Sequence, residues 1–399
     1  MDIALFRNSP TGQLSPIAGT SDAGPYEHFA FLPNPLGEAG PDLSQAAYRS
    51  VADARAALAA LDATAQRLPN PRLFRHSALR LEAQATSALE GTHEPLARVL
   101  TEDIPEGHDP SMREVLNFLF VAEDAFAWAD EGRPWNLSTL SELHRRLMED
   151  THSERNFHGV RPIQVVIGQR HNPDPGAHPI TNARYVPPPP GIGLESRVGD
   201  LLDWMRVDHS AQIDPVGAAA MSHYAFEALH PFHDGNGRIG RLFIVLFLYQ
   251  HGVLSEPSIT VSPYFEARRQ EYYDALLGVS TDGDWSTWVD LFARGLAQSA
   301  NEARARMLAL AHVQARLKET VHASRVRSAK AGLLVNHAVA FPTFTVAQAA
   351  EAIGLQYQGT SRLIVSLVEI GVLAEYGQSS YNRRFHAPAV LEILLRNAR

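Results

Sequence analysis

The sequence predicts a mainly α-helical chain that carries one β-hairpin and ends in a small winged-helix module. Three observations carry this expectation. Apolar residues recur at helical spacing through most of the first 320 positions. One segment, VRPIQVVIG (160–168), alternates instead and is rich in β-branched residues. After about residue 321 the pattern shifts to short helices, a turn glycine and a hairpin.

In chain order, residues 1–41 are rich in Pro, Gly and Ser, show no period, and are expected to lie as an extended arm over the rest. LSQAAYRSVADARAALAALDATAQ (43–66) is Ala-rich with apolar residues at helical spacing, and PNP at 69–71 breaks it. A second helix is expected over roughly 73–90, stopping at Gly91. Helical patterns recur near 112–131, 138–149, 195–209, 216–230, 237–250, 264–278 and 285–318. ARYVPPPP (183–190) follows VRPIQVVIG after a Pro-, Gly- and Asn-rich loop, which predicts paired extended segments that four prolines end. In TVAQAAEAIGLQYQGTSRLIVSLVEIGVLAEYGQSSYNRRFHAP (345–388), Thr345 suits an N-cap, Gly354 a turn, and Gly377 to Asn382 a hairpin tip.

At 399 residues the chain suggests two or three domains, divided as 1–110, 111–320 and 321–399. Apolar residues make up 45% and charged residues 20%, a soluble globular composition. Cysteine is absent, which excludes a disulfide framework or a thiolate metal site. The start, MDIALFRNSPTGQL, lacks the features of a secretory signal, and no apolar run reaches the roughly 20 residues that span a bilayer. A cytoplasmic protein without a membrane partner is the expectation. Net charge is −9, with +4 in residues 321–399 and therefore −13 before them. That balance argues against a general nucleic-acid binder and leaves a local DNA contact open at the basic tail.

LHPFHDGNGRIGR (229–241) stands out, because its flanks read as buried helices. A calcium loop starting at Asp234 fails: Arg238 would occupy position 5 and Val245 position 12. His223, His230 and His233 form no dedicated zinc pattern. An anion cradle fits better. Gly235 and Gly237 let the backbone approach a ligand, and the following helix aims unpaired N–H groups and its positive end at the loop. Arg238 and Arg241 offer forked donors to phosphate oxygens. Asp234 suits a hard cation such as Mg²⁺, His230 a general base, and Phe232 an apolar anchor.

HPFHDGNGRIGR (230–241) resembles the Fic family signature, His-x-Phe-x-(Asp/Glu)-Gly-Asn-Gly-Arg-x-x-Arg, at every fixed position. QVVIG and YVPPPP resemble the family's active-site flap, residues 43–92 its helical N-terminal region, and the C-terminal module a frequent companion. The resemblance implies a Fic-type catalytic core over 111–320 that transfers AMP from ATP to a Ser, Thr or Tyr hydroxyl of a protein, with release of pyrophosphate. Carried over, His230 deprotonates the target and Asp234 binds Mg²⁺ between the α- and β-phosphates. Asn236 steadies the α-phosphate beside the N–H groups of Gly235 and Gly237. Arg238 takes the β-phosphate and Arg241 the γ-phosphate. Val165, Val166, Ile167 and Gly168 border the nucleotide and register the target segment. Tyr272 matches a position near adenine, with ordinary helix packing as the other reading. Ser280 stands where some members carry an asparagine that contacts adenine.

TSALEG (86–91) matches a second family pattern, Ser/Thr-x-x-x-Glu-(Gly/Asn), whose helix is inhibitory. Thr86 and Glu90 share a helix face, and Gly91 caps it. The resemblance implies that Glu90 pairs with Arg241 and fills the γ-phosphate position. Three alternatives stand beside AMP transfer. Glu90 removes AMP from a modified protein; the chain transfers phosphate or phosphocholine; or residues 345–373 bind DNA, with Arg362, Arg383 and Arg384 on phosphate. A homodimer is also open.

Overall fold

The computed structural model describes residues 1–102, 109–151, 159–377 and 383–396. Two long helices form its spine. Gln45–Arg67 starts where the Ser44 side chain accepts from the Ala47 N–H, and Trp285–Ala323 where Asp284 accepts from Thr287. Both present alanines at the contact: Ala47, Ala54 and Ala57 face Ala293, Ala300 and Ala303, all buried. Small residues let the axes approach, and the Ser50 hydroxyl donates across to Asp290 at 2.6 Å.

Against this spine lies a hairpin of two helices, Pro215–Leu229 and Asn236–Gln250. Their residues are buried almost all round, which is why both read as apolar without a polar face. The polar run 230–235 joins them at the floor of a cavity. Arg75–Glu90 packs beside Asn236–Gln250, Pro110–Asp130 and Ser262–Ala267, also buried on nearly every side. Midway along it, the Glu82 carboxylate accepts from the Ser262 N–H and hydroxyl, a lateral clamp. The helix ends at Gly91, φ +101°, where Gly91 N–H donates to Ala88 and Thr92 N–H to Ser87, two bonds of a Schellman cap.

Three expectations need correction. Residues 1–41 are not a structureless arm. Gly12–Ser21 and Gly24–Pro33 form a ten-residue antiparallel hairpin, turning at Asp22-Ala23 with Gly24 at φ +109°. Its inner end is anchored by Phe31, whose ring meets Phe6 and Tyr185. The expected helix near 264–278 is two, Ser262–Ala267 and Arg269–Asp282, broken at Arg268. The flap ladder is shorter than 160–168. Only Ile167–Gln169 pairs, with Ala183–Tyr185. Prolines 187–190 have no N–H to donate, so the ladder stops there. Side chains take over: Gln164 Nε2 donates to Pro187 O at 3.0 Å and Arg161 Nη2 to Pro188 O at 2.5 Å.

The C-terminal part contains Ala331–Ala340, Val346–Ile353 and Tyr357–Glu369. A three-stranded antiparallel sheet joins them, in the order Phe344–Thr345, Arg384–His386, Ala374–Tyr376. Thr345 and Gln348 form a reciprocal capping box, and Gly354 ends that helix at φ +64°. The hairpin tip read at 377–382 lies, beyond Gly377, outside the described residues. Arg362 is exposed on Tyr357–Glu369. Arg383 pairs with Glu375, and Arg384 donates to the Thr343 hydroxyl at 2.7 Å. Among the described helices, none is long and apolar enough to cross a membrane.

Candidate active site

The loop after Pro215–Leu229 is held from below. His230 ends the helix in the left-handed region, φ +47° and ψ +59°, which few non-glycine residues adopt. Phe232 is fully buried and stacks on the His144 ring, centroids 3.8 Å apart. His144 Nε2 donates to the Asp234 carbonyl at 2.9 Å. Asn236 closes the loop with its amide: Oδ1 accepts from Phe232 N–H at 2.8 Å and Nδ2 donates to Phe232 O at 2.9 Å. Gly235 sits at φ +79°, and a Cβ there would press on Leu147 and Met148 at 3.2 Å.

Above this loop opens a cavity of about 640 Å³, within the range of small-molecule sites. His230, Gly237, Arg241 and Glu90 line one end; Tyr224, Leu276, Leu277 and Ser280 line another; Val166 to Gln169 form a wall. The buried Arg241 guanidinium donates from Nε to the Thr86 hydroxyl at 2.7 Å and from Nη2 to Glu90 Oε1 at 2.5 Å. Glu90 Oε1 also fills the space over Gly237, where a Cβ would overlap it. A carboxylate oxygen therefore rests at the positive start of a helix, on a buried arginine.

Burial lowers the His230 imidazole to about 4, and the Arg161 charge adds to the fall. Glu90, the Glu227 carbonyl and Asp234 pull the other way. The ring is thus neutral at physiological pH, the state that accepts a proton. Asp234 is half exposed and lies outside the residues that line the cavity, with Oδ1 accepting from Gly235 N–H at 2.6 Å.

Several residues read from the sequence lie elsewhere than expected. Tyr272 is buried in the core and does not line the cavity; its neighbour Tyr273 does. His223 Nδ1 donates to Gly240 O at 3.0 Å, so its Nε2 accepts from the Tyr272 hydroxyl at 2.7 Å. Arg238 is buried against Glu114 at 2.9 Å and Asp234 at 3.3 Å, away from the cavity lining. The Asn236 amide is consumed by Phe232, leaving its backbone at the helix start. Val165 stays outside the lining, since only Val166 onward turns inward.

Two residues that matter went unread. Arg161 is buried and surrounded by carbonyls. Its Nε donates to His230 O at 2.8 Å, Nη1 to Ile163 O at 3.0 Å and Nη2 to Pro188 O, while its N–H donates to Pro231 O. One guanidinium thus fixes the flap to the backbone of His230. It stands inside VRPIQVVIG, whose alternation signals only a strand. Arg161→Met would leave three carbonyls without these donors, at about 1–3 kcal/mol for each group that stays buried. The expected result is a loss of several kcal/mol in urea unfolding. Glu227, three residues before His230 and so on a neighbouring helix position, also lines the cavity.

Residues 134–248 match the sequence model of the Fic/DOC family, and residues 48–127 that of the Fic/DOC family N-terminal region. The chain is 29% identical over 159 residues to protein adenylyltransferase fic-1 of Caenorhabditis elegans, covering 40% of this chain and 27% of that relative. It is 31% identical over 157 residues to protein adenylyltransferase Fic of Drosophila virilis, covering 39% and 27%. The matched region thus spans about a quarter of the length of these curated relatives. A Fic family protein from Desulfovibrio desulfuricans G20 has a similar fold, with a TM-score of 0.52 at 21% identity, over 88% of this chain and 98% of that one.

Proposed function

The chain belongs to the Fic/DOC family, and from that premise we propose that it transfers AMP from ATP to a Ser, Thr or Tyr hydroxyl of a protein, itself included, under restraint by Glu90. One observation carries the reading: neutral His230, buried Arg241 and the open start of Asn236–Gln250 face a single cavity, and an anion already occupies the phosphate end. The residues taken as a catalytic unit are 111–320, with 1–110 supplying the inhibitory helix and 321–399 a winged-helix module.

In the reaction, His230 takes the proton of the target hydroxyl as its oxygen attacks the α-phosphorus. The bond from that phosphorus to pyrophosphate breaks, and AMP remains on the target oxygen. Charge grows on the non-bridging oxygens and on the leaving group. The N–H group at Gly237 and the Arg241 guanidinium supply fixed donors there, while the Gly235 N–H is taken by Asp234 Oδ1. Arg238, held by Glu114, orients the Asp234 carboxylate and does not itself reach the phosphates. Asp234 fits Mg²⁺: it offers a half-exposed carboxylate on the loop that leads into Asn236–Gln250, and this ion commonly takes one or two protein carboxylates plus phosphate oxygens and water. Mg²⁺ would neutralise phosphate charge there. Val166, Ile167 and Gly168 border the nucleotide, and the edge of Ile167–Gln169 that is unpaired among the described residues suits main-chain pairing with a target segment.

Intact-mass spectrometry after incubation with MgATP tests the proposal. A gain of one AMP supports it; a gain of phosphate, or of phosphocholine from the corresponding donor, replaces it. A second reading has a specific basis, since Glu90 and His230 line the same cavity. In it, Glu90 aligns a water that releases AMP from a modified protein, and AMP release from labelled substrate reads it. For DNA binding, the pairing of Arg383 and Arg384 leaves Arg362 as the exposed basic group on the helix pair.

The two adjacent tyrosines separate core from site. Tyr272→Phe is expected to cost about 1–2 kcal/mol of stability, because His223 Nε2 loses its donor, with nucleotide affinity unchanged. Tyr273→Ala is expected to weaken nucleotide binding several-fold. Thermal melts and calorimetric titration distinguish them.

A further inference from the structure

Glu227 lines the cavity and has no task in the reaction above. We propose that it determines nucleotide specificity by binding the ribose, its carboxyl group pairing with the 2′- and 3′-hydroxyls. This inference rests on the adenylyl-transfer reading and deepens it.

The position follows from helix geometry. Tyr224, Glu227 and His230 advance along Pro215–Leu229 and its C-terminal cap, and all three line the cavity. Six residues span about 9 Å at 1.5 Å per residue. One end, at His230, is where the α-phosphorus must lie for its base to work. The other end is polar but closed, with the Tyr224 hydroxyl bonded to the Ser280 hydroxyl at 2.9 Å and Leu276 and Leu277 beside it. That slot suits a flat base. The sugar then falls between them, about 4.5 Å along the axis from either end, at Glu227.

The side chain is also unfinished. Glu227 Oε1 is buried over Gly240, where a Cβ would overlap it, and has no hydrogen-bond partner among the described residues. Arg241, the nearby cation, is already engaged by Glu90 and Thr86. Burial pushes the Glu227 carboxyl up to about 8, against the pull of Arg241 and with the Glu90 charge adding to the rise. A protonated carboxyl has one donor and spare acceptor capacity, the complement of two neighbouring hydroxyls.

The experiment measures binding instead of turnover. MgATP, Mg-2′-deoxyATP and Mg-3′-deoxyATP are titrated calorimetrically into the full-length Glu90→Gly protein, whose phosphate end is clear. The same titrations use Glu90→Gly combined with Glu227→Gln or with Glu227→Leu. ATP is expected to bind about tenfold tighter than at least one deoxynucleotide in the parent. Glu227→Gln, which still donates and accepts, keeps part of that preference, and Glu227→Leu loses it. A parent that binds all three alike overturns the inference, whether or not the variants fold. So does a folded Glu227→Leu protein with the preference intact. Absence of any ATP binding overturns the adenylyl-transfer reading and this inference with it; ATP binding without sugar preference overturns this inference alone.

Discussion

His230→Ala is expected to lower AMP transfer by about 10²–10⁴-fold while leaving MgATP affinity close to that of the unsubstituted protein. The asymmetry comes from where the imidazole stands. In the proposed reaction phosphate is gripped by Arg241 and the start of Asn236–Gln250, neither of which depends on the His230 side chain. The imidazole acts on the incoming hydroxyl, whose pKa is too high for reaction without a base. The pH dependence has a definite sign. With the free-protein imidazole near 4, below its ordinary 6.5, the base stays unprotonated as pH falls through 6.5 and is lost only as pH approaches 4. The kcat/KM profile should therefore be flat between about pH 6 and 8 in its acid limb, and the His230 ring signals in a histidine-labelled NMR titration should move with a midpoint near 4. A midpoint at 6.5 would mean that burial does not depress the imidazole in the free protein, and an alanine variant with undiminished transfer would remove His230 as the base.

The loop was legible from the sequence for a physical reason. A polar, glycine-rich run between two helices buried on nearly every side has to serve something, because buried loops carry unpaired backbone groups. The helix around Thr86, Glu90 and Gly91 was legible through its spacing and its glycine stop. Other features depend on how elements are rotated in the tertiary structure. Tyr272 and Tyr273 are about 100° apart around one helix, and nothing local says which of them faces the cavity. Asn236 and Arg238 carry side chains suited to phosphate, yet Phe232 and Glu114 claim them first. Glu114 lies more than a hundred residues away in sequence, so no motif could include it. The N-terminal hairpin was hidden because Pro, Gly and Ser interrupt its alternation, although YEHFAF keeps one face toward the core. Arg161 does its work through carbonyls, and carbonyls leave no trace in a residue pattern.

Glu90→Gly is expected to raise self-AMPylation about tenfold to a hundredfold, the scale of one charge-assisted hydrogen bond removed from a competing anion. In the proposed restraint the Glu90 carboxylate and the terminal phosphate of ATP compete for one guanidinium and one helix start, since Glu90 Oε1 occupies the space directly over Gly237. Removing the carboxylate has a second consequence. Arg241 is buried, and without Glu90 its remaining partner from Arg75–Glu90 is Thr86, through its hydroxyl and carbonyl. An uncompensated buried cation is destabilising. The nucleotide-free variant should therefore melt below the unsubstituted protein. MgATP restores the missing anion, so the variant should gain more from saturating nucleotide than the unsubstituted protein does. Glu90→Gln keeps the shape and loses the charge, and should fall between the two in both measurements. Labelled ATP reads transfer and a thermal melt reads stability. Equal labelling of both proteins, together with equal thermal gains from MgATP, would mean that the Glu90–Arg241 contact holds the helix without restraining the chemistry.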